Sequence, residues 1–139
     1  NDNKDKLSPP KEHAMIHETT ANNLYEKAKS NGLINTLYSA FGNNINMRIA
    51  FSQSACDAGI DSIEFSVRAS NALKRSGLMT IGSVIDAIMN DELLRVRNLG
   101  RKSYNEIKTK ILLYGYKRLT EREKIAFFYY LVSNNTLIN

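Results

Sequence analysis

Cysteine is almost absent from this chain of 139 residues, which contains only Cys56. A single cysteine excludes an intramolecular disulfide framework and fits a reducing compartment, so we expect a cytoplasmic protein. Cys56 itself is expected to be a small buried apolar side chain. Long apolar runs are also missing, because no stretch reaches the roughly 18 residues of a membrane span. The basic-then-apolar layout of a signal peptide is not seen either, and we expect no membrane partner.

Catalytic and metal-binding constellations are equally scarce. No Ser/His/Asp or Cys/His arrangement is legible, and the glycines have no phosphate-loop pattern. The two histidines, His13 and His17, are four residues apart and could bind a metal from one helix face. They lack a further nearby His or Cys, and they follow the Pro9-Pro10 pair. We therefore expect no metal site, no cofactor and no enzymatic activity.

The positive charge is concentrated in one part of the chain. Residues 61–118 hold eleven Lys and Arg against six Asp and Glu, whereas the two signs balance in the segments on either side. The whole net charge of +5 therefore belongs to this central segment. Such a concentration is typical of a nucleic-acid-binding face, although solvated surfaces also carry clustered basic residues.

The N-terminal part is predicted to contain short helices after a flexible lead over residues 1–20, which is polar and contains a Pro-Pro pair. Thr20 is a candidate N-cap for a helix that ends at Gly32. A second helix is expected over residues 34–41, closed by Gly42. Residues 44–58 are ambiguous, because strict apolar alternation favours a strand while flanking Asn and Gly residues favour a helix. We favour the helix, within an N-terminal helical extension over residues 21–60.

The central segment predicts four helical pieces. Ser66 should cap a helix that ends at Gly77, and Asp91 should cap a one-turn helix. A turn at Asn98-Leu99-Gly100 should open a longer helix that stops at Gly115. The polar stripe expected on the first helix consists of Arg68, Asn71, Ala72 and Arg75. Val67, Leu73 and Leu78 should supply apolar contacts, and the one-turn helix contains Leu93 and Leu94. The remaining piece is an amphipathic helix with Ile81, Val84, Ile85 and Ile88 on one face. The longer helix should bury Tyr104, Ile107 and Ile111.

A capping box at Thr120 and Glu123 predicts a further helix in the C-terminal segment 119–139. This helix is apolar on every side over residues 125–132, so it must be buried on several faces. Two arrangements remain open: it packs against the rest of the chain, including residues 21–59, or it forms a homo-oligomer interface through residues 120–132.

Two motifs give the central segment a family resemblance. They are Ser66-Val67-Arg68-Ala69-Ser70-Asn71-Ala72-Leu73-Lys74 and Val96-Arg97-Asn98-Leu99-Gly100-Arg101-Lys102-Ser103, followed by Glu106-Ile107-Lys108. Residues 61–116 thereby resemble the C-terminal domain of the bacterial RNA polymerase α subunit. The resemblance implies an all-α fold, a compact bundle of short helices with a helix-hairpin-helix-like element. The N-terminal helices and the C-terminal aromatic helix would be additions to this bundle.

The resemblance also implies a DNA-binding role in transcription, at the minor groove of A·T-rich promoter-upstream DNA. Arg68 matches the arginine that enters the groove, where a narrow A·T tract has an enhanced negative potential. Glu64 matches an acid implicated in σ contact, but Ser62 stands where a second acid is common. The remaining matches to the DNA-contact set of the family are Asn71, Gly100, Lys102, Ser103 and Glu106.

A second function stays open beside DNA binding. The domain could instead capture RNA polymerase, σ factor or a transcription activator, with DNA binding incidental. Residues 1–60 resemble neither the linker nor the assembly domain of an α subunit. We therefore expect a free-standing or accessory protein that uses residues 61–118 as its DNA-binding domain.

Overall fold

The computed structural model describes residues 11–43, 45 and 51–138, with side chains described from residue 16 onward. Its seven α-helices are α1 (Lys11–Asn31), α2 (Leu33–Phe41), α3 (Gln53–Asp57), α4 (Val67–Arg75), α5 (Ile81–Met89), α6 (Gly100–Lys117) and α7 (Glu121–Asn134). Two 3₁₀ turns cover Ile60–Ser62 and Leu93–Arg95. Within the described ranges there is no strand, only an isolated antiparallel bridge between Gly59 and Thr80. The all-α prediction is confirmed.

The chain divides into two compact units. The first unit combines the residues up to Ile45 with those from Thr120 onward, and the second contains the residues from Asn46 to Leu119. The extension predicted over residues 21–60 is therefore shared between the units. No described helix is long and apolar enough to cross a membrane.

The first unit is built around α1, against which both α2 and α7 pack. The Tyr25 hydroxyl of α1 donates a hydrogen bond to the Glu121 carboxylate at the start of α7. The buried side chains of the first unit include Ala21, Leu24, Leu33, Leu37, Phe127, Phe128, Leu131 and Val132. The predicted capping box opens α7: Thr120 N–H donates to Glu123 Oε1 at 2.8 Å, and Glu123 N–H donates to Thr120 Oγ1 at 3.1 Å. The aromatic helix α7 thus packs against α1. Of the two predicted arrangements, this is packing within the chain.

The prediction of a flexible lead over residues 1–20 is wrong from Lys11 onward, because α1 begins there. Thr20, predicted as an N-cap, consequently lies inside the helix. Packing explains the extension, because the His17 ring meets the Tyr129 ring of α7 edge to face with centroids 6.0 Å apart. A helix prediction based on the spacing of apolar residues does not include this contact, because histidine is not counted as apolar. The residues before Lys11 lie outside the described ranges.

Glycines end the first two helices as predicted. Gly32 follows α1 with φ 90°, and Gly42 follows α2 with φ 75° and donates its N–H to the Tyr38 carbonyl at 2.9 Å. Both angles lie in the left-handed region that residues with a Cβ adopt at a cost. The ends of both elements could therefore be predicted from residue type alone.

The helix predicted over residues 44–58 is confirmed only for α3. Ser52 caps α3 by accepting a hydrogen bond from the Ala55 N–H at 3.2 Å, so the backbone is not helical at Ser52. Residues 44 and 46–50, on which the alternative strand also depends, lie outside the described ranges.

The core of the second unit lies between α4, α5 and α6. Its fully buried side chains include Leu73, Ile81, Val84, Leu93, Leu99, Ile107 and Ile111. The segment around α3 is tied to the start of α5 by hydrogen bonds from Ile60 N–H to the Met79 carbonyl (3.0 Å) and from Ile81 N–H to the Ala58 carbonyl (2.9 Å). Residues just before position 61 therefore belong to this unit.

Three local predictions for the second unit are wrong. Val67, expected to supply an apolar contact, is 77% exposed because it occupies the first turn of α4, on the side away from the buried Leu73. Asp91 does not cap a helix, since it has φ 59° and lies in the turn after α5. Helix α6 does not stop at Gly115 but continues to Lys117. A smaller correction concerns Tyr104, which was expected to be buried and is half-buried.

Candidate nucleic-acid interface

Helix α4 presents the first part of the site. Ser66 caps it by accepting a hydrogen bond from Ala69 N–H at 3.2 Å, which fixes the start of the helix. The buried face of α4 consists of Ala69, Ala72 and Leu73. The opposite face leaves Arg68, Asn71 and Arg75 exposed. Ala72, predicted on the polar stripe, is fully buried, because a stripe at helical spacing runs into the core at one edge.

The start of α6 presents the second part. The turn before it contains two left-handed residues, Asn98 at φ 66° and Gly100 at φ 73°, on either side of Leu99, which is buried. A Cβ at position 100 would meet no atom within 4 Å, so backbone conformation rather than space favours glycine there. Within the described residues, this helix has no side-chain cap. Its first backbone N–H groups are therefore available to an anion, which the helix dipole also favours.

The two parts meet at one surface. Arg68, Asn71 and Arg75 of α4 line an open depression together with Asn98 and Gly100 of the turn before α6. Three of these residues belong to the predicted DNA-contact set. Arg75 and Asn98 do not, although the helical spacing of Arg75 from Arg68 was a usable signal.

Five basic residues either line this depression or lie within two positions of its lining residues in the sequence. Arg68, Arg75, Arg97, Arg101 and Lys102 are all exposed. Among the described residues, none of the five makes a hydrogen bond or an ion pair. By contrast, Lys74, on the same helix as Arg68, forms an ion pair with Asp61, with 3.6 Å between Nζ and Oδ1. The surface therefore offers uncompensated positive charge beside open backbone N–H groups.

Glu106, which matches the DNA-contact set of the family, makes its hydrogen bonds within the second unit. Its carboxylate accepts hydrogen bonds from Ser66 N–H (2.6 Å), from the Ser66 hydroxyl (2.8 Å) and from Lys110 Nζ (3.1 Å). Burial disfavours the charged carboxylate, but these hydrogen bonds outweigh burial and lower the pKa of Glu106. The carboxylate thus holds the start of α4 against α6.

The remaining predicted site residues differ in their exposure to solvent. Lys102 is exposed in the first turn of α6, whereas Ser103 is buried with 6% of its surface accessible. The Ser103 hydroxyl is therefore not presented to a ligand, and its backbone N–H is the group that could contact a phosphate. Glu64 is exposed, and its carboxylate has no partner among the described residues.

Two residues singled out for other chemistry lie away from this surface. The His13 side chain falls outside the described part of the protein, so the metal pair with His17 is not described. Cys56 is half-buried rather than buried, and burial raises the pKa of its thiol, as do the nearby carboxylates of Asp57 and Asp86. Among described residues, no group of three or more His, Cys, Asp or Glu side chains could hold a metal ion.

Comparison with known proteins finds a family match within the second unit. Residues 51–112 match the family model for the C-terminal domain of the bacterial RNA polymerase alpha subunit. The match begins earlier than the resemblance at residues 61–116, in agreement with the hydrogen bonds that join the α3 segment to α5.

Curated relatives match the same region. The DNA-directed RNA polymerase subunit alpha of Rubrobacter xylanophilus is 44% identical over 64 residues, which are 46% of this chain and 20% of that protein. The same subunit of Symbiobacterium thermophilum is 43% identical over 56 residues, 40% of this chain and 18% of the relative. The chain therefore spans about a fifth of the length of these relatives. No solved structure matches the chain at a significant level.

Proposed function

We propose that the protein binds double-stranded DNA in transcription, because residues 51–112 match the family model for the C-terminal domain of the bacterial RNA polymerase alpha chain. The binding surface consists of the exposed face of α4 and the start of α6. The role is non-catalytic, and the partner is the minor groove of A·T-rich DNA with its flanking phosphates.

One observation carries the proposal: two arginines without a partner among the described residues line a depression with an uncapped helix start, and three more such cations lie within two positions of its lining residues in the sequence. DNA phosphates are bound by such cations and by N–H groups at helix N-termini. Arg68 lies beside the depression that contains Gly100. An arginine in this position can enter a narrow minor groove while the first turn of α6 contacts the adjacent phosphate.

Each residue receives a distinct role under this proposal. Arg68 reads groove width, and Asn71 donates and accepts hydrogen bonds at the groove floor or the sugar edge. Gly100 and Ser103 supply backbone N–H groups, and Lys102 supplies a point charge to the phosphate. Glu106 contributes by holding α4 and α6 together rather than by touching DNA.

Salt-dependent binding tests the proposal. We expect the logarithm of the affinity to fall linearly with the logarithm of salt concentration, with a slope of about −4 for four or five phosphate contacts. Affinity should be higher for an A·T-rich duplex than for a G·C-rich one of equal length. Fluorescence anisotropy titrations of the full chain at several salt concentrations measure both quantities.

Substitutions then separate the roles. Arg68→Ala should weaken binding to the A·T-rich duplex roughly tenfold and reduce the preference over the G·C-rich duplex. Lys102→Met should weaken binding to both duplexes equally and make the salt slope shallower by about 0.9. Equal, salt-independent affinity for the two duplexes would contradict DNA binding at this surface.

A second function is favoured by one observation, the exposed carboxylate of Glu64, which has no partner within the described ranges. It lies two residues before Ser66, at the entry to α4, where it could contact a basic surface of σ factor, an activator or RNA polymerase. Recovery of polymerase from nuclease-treated extract, unchanged by Arg68→Ala, would favour this function over DNA binding.

A further inference from the structure

Lys110 lies at the centre of a hydrogen-bonded cluster that joins two distant parts of the second unit. Its Nζ donates to the backbone carbonyl of Glu64 at 2.6 Å and to Glu106 Oε2 at 3.1 Å. The same carboxylate accepts the N–H and the hydroxyl of Ser66, one on each oxygen. We call these four residues, Glu64, Ser66, Glu106 and Lys110, the clasp.

The clasp controls the segment that leads into α4. Glu64 and Ser66 immediately precede the helix, and Ser66 is its N-cap. Arg68 is the second residue of α4, so its direction depends on where Ser66 is held. Glu106 and Lys110 lie on successive turns of α6, the helix whose first turn contains Lys102. The clasp therefore fixes the groove-reading arginine relative to the phosphate-binding turn.

The clasp is well suited to hold a fixed geometry. Both oxygens of Glu106 are engaged, and the ammonium of Lys110 both neutralises the carboxylate and reaches a backbone carbonyl. The Glu106 side chain is 20% exposed, and three hydrogen bonds converge on its carboxylate. Lys110 is thereby set apart from the five cations that line the depression or lie close to its lining residues in the sequence, since those five have no partner among the described residues.

We propose that Lys110 is a positioning residue for DNA binding, which acts through Glu106 and Ser66 on the direction of Arg68 and does not contact DNA itself. This inference rests on the proposed function. It predicts a signature that a phosphate-contacting lysine does not have, because no counterion release depends on Lys110. It also predicts that Lys110 matters only while Arg68 is present.

The test compares Lys110→Met with Lys102→Met in the full chain, with Lys117→Met as a control for loss of one charge on the same helix. Lys110→Met should weaken binding to an A·T-rich duplex about fivefold and leave the salt slope unchanged, as expected for one lost hydrogen-bond network. Lys102→Met should make the slope shallower by about 0.9. Lys110→Arg, which can donate to both acceptors, should restore most of the affinity.

The double variant Arg68→Ala/Lys110→Met decides whether Lys110 acts through Arg68. Its affinity should equal that of Arg68→Ala alone. Additive losses, a shallower salt slope for Lys110→Met, or unchanged affinity for Lys110→Met would each overturn the inference. Absence of salt-dependent binding by the unsubstituted protein would instead overturn the proposed function.

A measurement without DNA tests the clasp itself. The Ser66 amide proton should titrate with Glu106 in NMR spectra, because it donates to that carboxylate. Lys110→Met should raise the pKa of this transition, since the neighbouring ammonium stabilises the ionised form. A Ser66 amide shift that is independent of pH would show that the clasp does not form, whatever the protein does with DNA.

Discussion

At the scale of single residues, Glu106 links stability to pH. Its folded-state pKa lies below its ordinary value of 4.5, because hydrogen bonds from Ser66 and Lys110 outweigh the effect of burial. A depressed carboxylate pKa contributes stability above the ordinary value, and this contribution is lost as pH falls through the folded-state pKa. We expect the free energy of unfolding of the second unit to decline below about pH 4.5 and to decline less in Glu106→Gln.

Hydrogen exchange at the buried amides of Ile107 and Ile111 measures this effect, because protection there reports the opening of the second unit. Glu121, whose pKa is lowered first by the hydrogen bond from Tyr25, belongs to the other unit and should affect a different set of amides. If the free energy of unfolding of the second unit fell equally with pH in the unsubstituted protein and in Glu106→Gln, the pH dependence would not come from Glu106.

Residue types and spacing predicted most of the exposed surface but not its partners. Arg68, Asn71 and Lys102 are exposed as expected, because helical periodicity separates polar from apolar faces. Ser103 is buried and Glu106 is bound to Ser66, across 40 positions of sequence. Periodicity describes a face of one helix, so it contains no information on which side chain from another element will cover it.

At the scale of elements, Gly115 shows why α6 is longer than predicted. A Cβ at position 115 would overlap the Phe51 ring and lie 2.7 Å from its Cζ atom. The glycine therefore admits an aromatic ring against the helix rather than ending it. Helix propensity alone predicts that Gly115→Ala would stabilise the protein by about 1 kcal/mol.

We expect the opposite sign: overlap with a packed ring should make Gly115→Ala destabilising by about 1–3 kcal/mol. Adding Phe51→Leu to the Gly115→Ala variant should recover part of the loss, because a smaller side chain vacates the overlapping volume. Urea denaturation of the two single variants and the double variant gives the coupling energy. Stabilisation by Gly115→Ala alone would mean that the ring does not pack there.

N-caps were an uneven element signal in this sequence, because Ser66 and Thr120 were predicted correctly and Thr20 and Asp91 were not. Ser66 and the Thr120–Glu123 capping box open helices as predicted, because their side chains satisfy N–H groups a few residues away. Asp91 failed as a cap, since its φ of 59° closes the turn after α5 instead. Residue type identifies a helix boundary at Ser66, Thr120 and Asp91, although it does not say whether a helix ends or begins there. At Thr20 it identifies no boundary, since this residue lies inside α1.

At the scale of the whole molecule, the two-unit division was not predictable from local patterns. The first unit joins segments from both ends of the sequence, for example through Tyr25 and Glu121, which are 96 positions apart. The apolar helix after Thr120 predicted a partner in residues 21–59 or in a second copy of the chain, and it packs against α1. Its apolar pattern did not decide between these two partners. A discontinuous unit is visible only when such long-range contacts are known.

The division has an experimental consequence, because the proposed DNA surface lies entirely in the second unit. Leu131 and Ile107 are both fully buried, one in each unit. Truncation of either to alanine should cost about 2–5 kcal/mol in the unit that contains it. We expect Leu131→Ala to leave DNA affinity and the amide protection of Ile111 unchanged, and Ile107→Ala to reduce both.

Hydrogen exchange resolved by residue, together with DNA titration at low temperature, distinguishes the two variants. Leu131 and Ile107 are equally buried, so the free-energy costs of truncating the two side chains to alanine should be similar. Loss of protection throughout the protein in both variants would mean that the units open together. In that case the first unit would contribute to DNA binding through stability, because the folded surface of α4 and α6 would then exist only while Leu131 is packed.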